Sequence, residues 1–420
     1  MSKKIRIKKV TVKKLFGIYT YDLIPLADSN FMILYGDNGS GKTMILSCLY
    51  HIFNPEEKGG HRTAIGNVPF LEFNVQLSNN DSIDLCRLKY NEKKYSITFP
   101  YHSKRIKYIW NPDKSIKDSD DNYSRYCEYL RDLNLNTLFL SANRQIYDDK
   151  DEMPIRYRRA HQLQFFDEQE EFDRYRDKGN LTLLQVIDNF QRWMHQKMIA
   201  LTNEGNKSIG EHYLNIINNL TKRNPKVEKS TTVKERIKQI ENNNEKFTKF
   251  GLSIELFSRQ FQKTISGLSS KDWTRVEPIL DSYISSLELR LQALSSLQDK
   301  LQKFEDYLSK FFKDKKIEIT SIKGIRIRSL YDDELEPNQL SSGEKQMLYL
   351  LCRIMTSSND SSIIIIDEPE ISLNIKWQRE FLNVLNAIIG DGNSQVIIAT
   401  HSIEMINPFR SSVVKLISNE

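Results

Sequence analysis

The chain has 420 residues, enough for two or three domains and a substantial core, with 39% hydrophobic and 28% charged residues. Its 61 basic residues against 55 acidic ones leave a net charge of +6, too mild to argue for a nucleic-acid partner and no bar to one. The cysteines Cys48, Cys86, Cys127 and Cys352 are far apart and form no CxxC pair, which speaks against a disulfide frame or a zinc site. No apolar run approaches the roughly 20 residues of a membrane-spanning helix. The basic N-terminus lacks a signal-peptide apolar core, so the expected location is cytoplasmic, with no membrane partner.

Ile5 to Val12 alternates apolar and polar side chains and reads as a half-buried strand, with Tyr19 to Leu26 able to pair with it. Phe31 to Tyr35 is a short apolar run that suits a strand buried on both faces. A glycine loop follows, and then helical spacing from Met44 to Phe53. Phe70 to Leu77, Ser82 to Lys89 and Lys94 to Phe99 read as strands, with Asn79-Asn80 as a turn. Tyr123 to Leu133 is helical and Thr137 to Ser141 strand-like.

From about Asp151 to Lys313 the chain turns rich in Gln, Glu, Lys, Asn and Leu. Leu181 to Met198, Glu235 to Phe247 and Trp273 to Phe312 carry helical periodicity. A helical hairpin or short coiled-coil arm and an ordinary helical subdomain both fit. Strands resume at Ile317. Ile363 to Ile366 and Gln395 to Ala399 flank the helical Arg379 to Ile389, an order that implies a parallel crossover. The expected organisation is one α/β unit formed by residues 1–150 and 316–420, with a helical insertion over 151–315.

Gly36-Asp37-Asn38-Gly39-Ser40-Gly41-Lys42-Thr43 matches G-x-x-x-x-G-K-[ST] in full, with a strand before it and a helix after it. Backbone N–H groups in such a loop curl around phosphate oxygens at the helix's positive end. Lys42 can reach the β and γ phosphates, and the Thr43 hydroxyl can ligate Mg²⁺. Further on, Ser341-Ser342-Gly343-Glu344 starts a helix. Alone it is simply a good N-cap with an acid in the first turn. The apolar strand after it ends in Asp367-Glu368, at the sheet edge where ligands bind in such folds. Asp367 suits Mg²⁺ and Glu368 suits polarising an attacking water. A later strand ends at His401, placed to sense a γ-phosphate.

Together these elements resemble the ABC ATPase superfamily, and within it the soluble branch with DNA-repair, chromosome-maintenance and OLD-type members. The resemblance covers roughly the first 150 and last 100 residues. It implies an ABC ATPase head that binds ATP and Mg²⁺, with Leu340 to Glu344 as signature motif. Ser342 stands there for the usual glycine and Glu344 for the transporter glutamine. It also implies Glu368 as catalytic base, a D-loop near Ser372 to Asn374, and His401 as switch histidine. Gln145 is the candidate Q-loop glutamine and Mg²⁺ ligand, with Arg144 as a competing phosphate-facing residue. In that family the signature motif closes over the ATP of a facing copy, which implies a head-to-tail dimer, alone or within a higher oligomer.

Three roles follow from the layout. No Toprim nuclease follows His401, no CxxC hook interrupts the insertion, and helices of this length reach only about 40 to 60 Å. The layout is therefore similar to the ATPase subunits of anti-phage systems, first the PARIS type and second the Septu type. Those pair with a separate nuclease or toxin and, in the PARIS type, answer a phage trigger protein. The alternatives are a RecF-like clamp on duplex DNA and a scaffold locked by ATP. The clamp would use Lys104 to Tyr108 and Arg156 to Arg159, although such basic runs are usually solvated faces.

Overall fold

The computed structural model describes residues 5–25, 29–56, 59–112, 121–142, 182–207, 230–252, 265, 267–357, 362–390 and 394–417. The chain forms two compact units: Met1–Leu183 together with Leu340–Glu420, and Leu184–Gln339. The strands just after residue 315, expected in the C-terminal lobe, thus fall in the second unit.

The first unit opens with β1 (Ile7–Leu15), β2 (Tyr19–Leu23), β3 (Phe31–Tyr35), α1 (Lys42–Ile52) and α2 (His61–Asn67). It continues through β4 (Glu72–Leu77), β5 (Ser82–Cys86), β6 (Tyr95–Tyr101), β7 (Lys104–Trp110), α3 (Asp121–Asp132) and β8 (Asn136–Leu140). The second unit carries α4 (Leu183–Lys207), α5 (Ser230–Thr248), α6 (Ser270–Phe311), β9 (Lys315–Thr320), β10 (Gly324–Ser329) and β11 (Glu334–Leu335). The chain then returns to the first unit with α7 (Ser342–Ser357), β12 (Ser362–Asp367), α8 (Ile375–Ile389), β13 (Gln395–Thr400), α9 (Ile403–Ile406) and β14 (Val413–Lys415).

The first unit holds two sheets. One is antiparallel, in the order β2-β1-β4-β5-β6-β7. The other is parallel throughout, in the order β14-β3-β13-β12-β8. Its inner strands carry continuous apolar runs because both faces are covered, and every residue of β12 and β13 is buried. The strands of the antiparallel sheet alternate instead, as in β4, where Phe73, Val75 and Leu77 point inward. The two sheets are stitched together by one side chain. The Ile7 N–H donates to Gln395 Oε1 at 2.8 Å, and Gln395 Nε2 donates to the Ile7 carbonyl at 2.9 Å. Both bonds are buried, so the amide is satisfied where a lone polar group would be costly.

Two elements in the N-terminal part of the first unit escaped the sequence reading. The run from Lys104 is the edge strand β7, not merely a solvated basic stretch. Ile106, Tyr108 and Trp110 pack against the core while Lys104, Arg105 and Lys107 stay exposed. Helix α2, opened by Gly60 in the left-handed region, places a buried arginine. Arg62 donates to the carbonyls of His51 and Asn54 at 3.0 and 2.8 Å and stacks on Tyr126.

In the second unit, α6 runs for 42 residues with Pro278 in its first turns. Arg236 of α5 grips Glu288 with two bonds of 3.0 and 2.9 Å and reaches Asp281 at 2.6 Å. Thirteen residues on, Lys249 pairs with Glu305. The contacts climb both helices together, so α5 and α6 run parallel and are not two arms of a hairpin. From α4, Phe190 stacks on Phe304 at 5.0 Å between ring centres.

Candidate nucleotide-binding site

The order of the parallel sheet determines what meets at its C-terminal edge. The phosphate loop leaves β3, Glu368 follows β12, and β13 lies between them and ends at His401. Register makes this sharper. Tyr35 pairs with Thr400, so the loop begins level with His401, and Asp367 pairs with Ala399. Neighbouring strands lie about 4.8 Å apart, so the loop and the acidic pair are separated by roughly 10 Å. A triphosphate fits between them.

The loop is built for an anion. Gly39 and Gly41 have φ of +83° and +86°, a region that disfavours side chains. A β-carbon on Gly41 would also strike Leu15 at 2.5 Å. Gly41 precedes α1 without offering it a side-chain cap, which leaves the helix N-terminus to a ligand. Lys42 is 5% exposed and curls over the loop, its Nζ donating to the carbonyls of Gly36 and Asp37 at 2.8 and 2.9 Å. The buried Ser40 has its carbonyl braced by the Tyr21 hydroxyl at 3.0 Å, and burial pushes that phenol up to about 12. Asp37, Asn38, Gly39 and Thr43 face solvent. A shielded lysine, a helix N-terminus without a side-chain cap and an exposed Thr43 hydroxyl fit the phosphates of MgATP.

Asp367 is fully buried at the end of β12. Glu368 is the first residue off the strand. Its φ is +45°, unusual for a residue with a side chain, and its N–H donates to the Ala399 carbonyl at 2.9 Å. Such outliers collect where a backbone is held for a purpose. Only about a quarter of the Glu368 side chain is exposed, and its carboxylate lies 3.9 Å from His401 Nδ1. A second acid is closer: Glu370 Oε1 is 3.1 Å from the same nitrogen.

The signature segment starts α7 with a capping box. The Ser341 N–H and hydroxyl both donate to Glu344 Oε2 at 2.8 Å, and the Glu344 N–H donates back to Ser341 Oγ at 3.3 Å. Glu344 therefore holds its own helix start, while Ser342 is exposed and Gly343 is half-buried. Ser372 and Asn374 lie beside them at the start of α8. Ser372 has φ of +64°, and Asn374 caps the helix by accepting from the Trp377 N–H at 3.0 Å.

The structure thus brings together Gly36 to Thr43, Asp367, Glu368 and His401 on one edge, with Ser341 to Glu344 in the same unit. Gln145, Arg144 and Arg156 to Arg159 lie outside the described residues. Within β7, Arg105 pairs with Asp84 instead of standing free, and Lys104 and Lys107 remain exposed. Glu370 and Tyr21 were not singled out in the sequence. The partners of Glu370 are about 30 residues away, and no local pattern announces them.

An α/β unit whose parallel sheet carries a full phosphate loop and an acidic strand end defines the class of phosphate-loop ATPases. The chain matches the family described as "AAA ATPase domain" over residues 6–406, and it belongs to that family. Among solved structures, it is similar to the Smc head domain with an extended coiled coil bound to the C-terminal domain of ScpA from Pyrococcus furiosus. That likeness has 12% identity and a TM-score of 0.41, covering 99% of this chain and 96% of the other. It is also similar to the Smc head domain with a coiled coil and joint from Pyrococcus yayanosii, at 12% identity and a TM-score of 0.40, covering 99% and 97%. No curated protein matches it.

Proposed function

We propose that this chain is an ABC-type ATPase head that binds and hydrolyses MgATP and closes head to tail with a second copy. The observation that carries the reading is the meeting of loop, acid pair and histidine across three adjacent parallel strands. Lys42 and the α1 N-terminus bind the β and γ phosphates, and Thr43 and Asp367 would hold Mg²⁺. When bound, the ion neutralises charge that builds on the phosphates. Glu368 accepts a proton from the attacking water, and His401 donates to the γ-phosphate. The exposed Ser342, with Gly343 beside it, presents the α7 N-terminus to the nucleotide of the facing copy. The γ-phosphate is then the contact that differs between open and closed heads.

On this reading the closing dimer gates a separate effector, a nuclease or toxin of an anti-phage system of the PARIS or Septu type. What supports this finer step is the layout, a head with a short helical insertion: α6, the longest helix among the described residues, spans about 63 Å at 1.5 Å per residue, just beyond the expected reach. Binding of a fluorescent ATP analogue to Lys42→Ala tests the core of the proposal. Affinity is expected to fall by about two orders of magnitude, the scale of two lost charge-assisted hydrogen bonds. Unchanged affinity refutes the phosphate-loop assignment. Purification from the native operon, with mass measurement of what accompanies the chain, tests the effector.

A further inference from the structure

A carboxylate that none of the motifs uses is buried behind His401. Glu370 is 6% exposed. Its Oε1 accepts from the Thr400 hydroxyl at 2.8 Å and from the His401 backbone N–H at 2.9 Å, and it lies 3.1 Å from His401 Nδ1. Its Oε2 is also buried and makes no hydrogen bond among the described residues. A carboxylate removed from water is costly unless hydrogen-bonded groups compensate it. Here all the compensation reaches one oxygen, and all of it comes from two consecutive residues, Thr400 and His401. Side chain and backbone are thereby gripped together at the end of β13.

We infer that Glu370 is the positioning residue that fixes the imidazole of His401. This rests on the role proposed above for that histidine. A carboxylate at Nδ1 requires that nitrogen to carry the hydrogen, which sets both tautomer and ring plane. Nε2 is then the nitrogen turned toward the ligand, and it donates to the γ-phosphate in the ring that carries a hydrogen on both nitrogens. Because Glu370 also accepts from the His401 backbone N–H and the Thr400 hydroxyl, the carboxylate that faces the ring is itself held in place. Glu368 approaches the same nitrogen only to 3.9 Å. It stays available to water while Glu370 bears the orienting load. The division resembles other sites in which an acid orients a histidine without itself reacting.

The test has two arms. In the first, ATP turnover is measured for the parent, Glu370→Gln, His401→Ala and the double variant. Glu370→Gln keeps an acceptor for Thr400 and the backbone but loses the charge at Nδ1. We expect kcat to fall about 10- to 100-fold, the range for residues that orient a reacting group, with KM for MgATP unchanged. In the His401→Ala background the same substitution should add nothing. An unchanged kcat in Glu370→Gln, or an equal loss in both backgrounds, overturns the inference. In the second arm, ¹⁵N spectra of histidine-labelled parent chain, assigned through His401→Ala, report the tautomer directly. The expected state has its hydrogen on Nδ1, and a neutral ring with hydrogen on Nε2 overturns the inference whether or not any variant folds. If the parent hydrolyses no ATP at all, the preceding proposal falls, and the spectrum still decides this one.

Discussion

A β-carbon placed on Gly343 would lie 2.8 Å from the carbonyl oxygen of Ser372 and 3.2 Å from the Trp377 ring. The start of α7 therefore rests directly on the loop that opens α8. Ser372 has little freedom to retreat, since it already sits at φ +64°. Gly343→Ala should destabilise the chain by about 1 to 3 kcal/mol, as over-packing does elsewhere. On the proposed head-to-tail dimer it should also reduce ATP-dependent dimerisation, because the two segments proposed to face the second copy are displaced together. Thermal melting and light scattering with and without MgATP check both effects. A variant that melts and dimerises like the parent would show that the contact is soft.

Glu368→Gln removes the proposed proton acceptor and keeps the side chain's size. Hydrolysis is expected to drop by roughly 10² to 10⁴, the usual worth of a general base. Nucleotide binding should persist, so the closed dimer should accumulate. Size-exclusion chromatography in MgATP, alongside a phosphate-release assay, reads both quantities. Turnover at the parent rate rules Glu368 out as the base.

Glu344 separates a structural from a ligand-binding role. Its carboxylate accepts twice from Ser341 within the capping box. Glu344→Gln retains an acceptor and should change stability little. Glu344→Ala should cost about 1 kcal/mol. Denaturant melts of the two variants measure this, and nucleotide affinity should be the same in the parent and in Glu344→Gln. A large loss of affinity in Glu344→Gln would return the residue to the nucleotide.

His51 near the end of α1 predicts a pH dependence. Burial, aided by the nearby His61 and Arg62, holds its pKa at about 4, below the ordinary 6.5. Its Nδ1 meets His61 Nδ1 at 2.8 Å, a contact that needs one of the two nitrogens bare. Above pH 6.5 the neutral ring costs nothing. As pH falls from 6.5 toward 4, the unfolded chain takes up a proton that the folded chain refuses, so stability is lost across that window and levels off below it. Urea midpoints measured through this range should fall more steeply for the parent than for His51→Gln. Equal slopes would mean that other groups carry the dependence.

The chemistry was more legible in the sequence than the architecture. Lys42, Thr43, Asp367 and Glu368 announce themselves because such chemistry needs fixed residue types at strand ends, the first two in the glycine loop after β3 and the other two where β12 stops. The buried strands β3, β12 and β13 were equally plain, since parallel strands covered on both faces leave unbroken apolar runs. In β7 the signal was present but masked. Ile106, Tyr108 and Trp110 alternate correctly, yet Lys104, Arg105 and Lys107 before and among them suggest only a solvated surface. Helix α2 has seven residues, two turns with a glycine at each end region, too short for periodicity to show. The parallel course of α5 and α6 depends on Arg236 meeting Glu288, a pairing 52 residues apart that no local pattern encodes. Glu370 was hidden for the same reason, since its meaning lies in Thr400 and His401.

The Gln395 clamp has a mechanical corollary. Strand β13 is about 20 Å long at 3.3 Å per residue. One end is pinned to β1 by the two buried amide bonds, and the other carries Thr400 and the histidine proposed to touch the γ-phosphate. A strand cannot shorten, so it behaves as a strut. On the proposed role of His401, a load put on it by a nucleotide would be shared with β3 and β12 along the strand and, at the other end, with Ile7 and the antiparallel sheet.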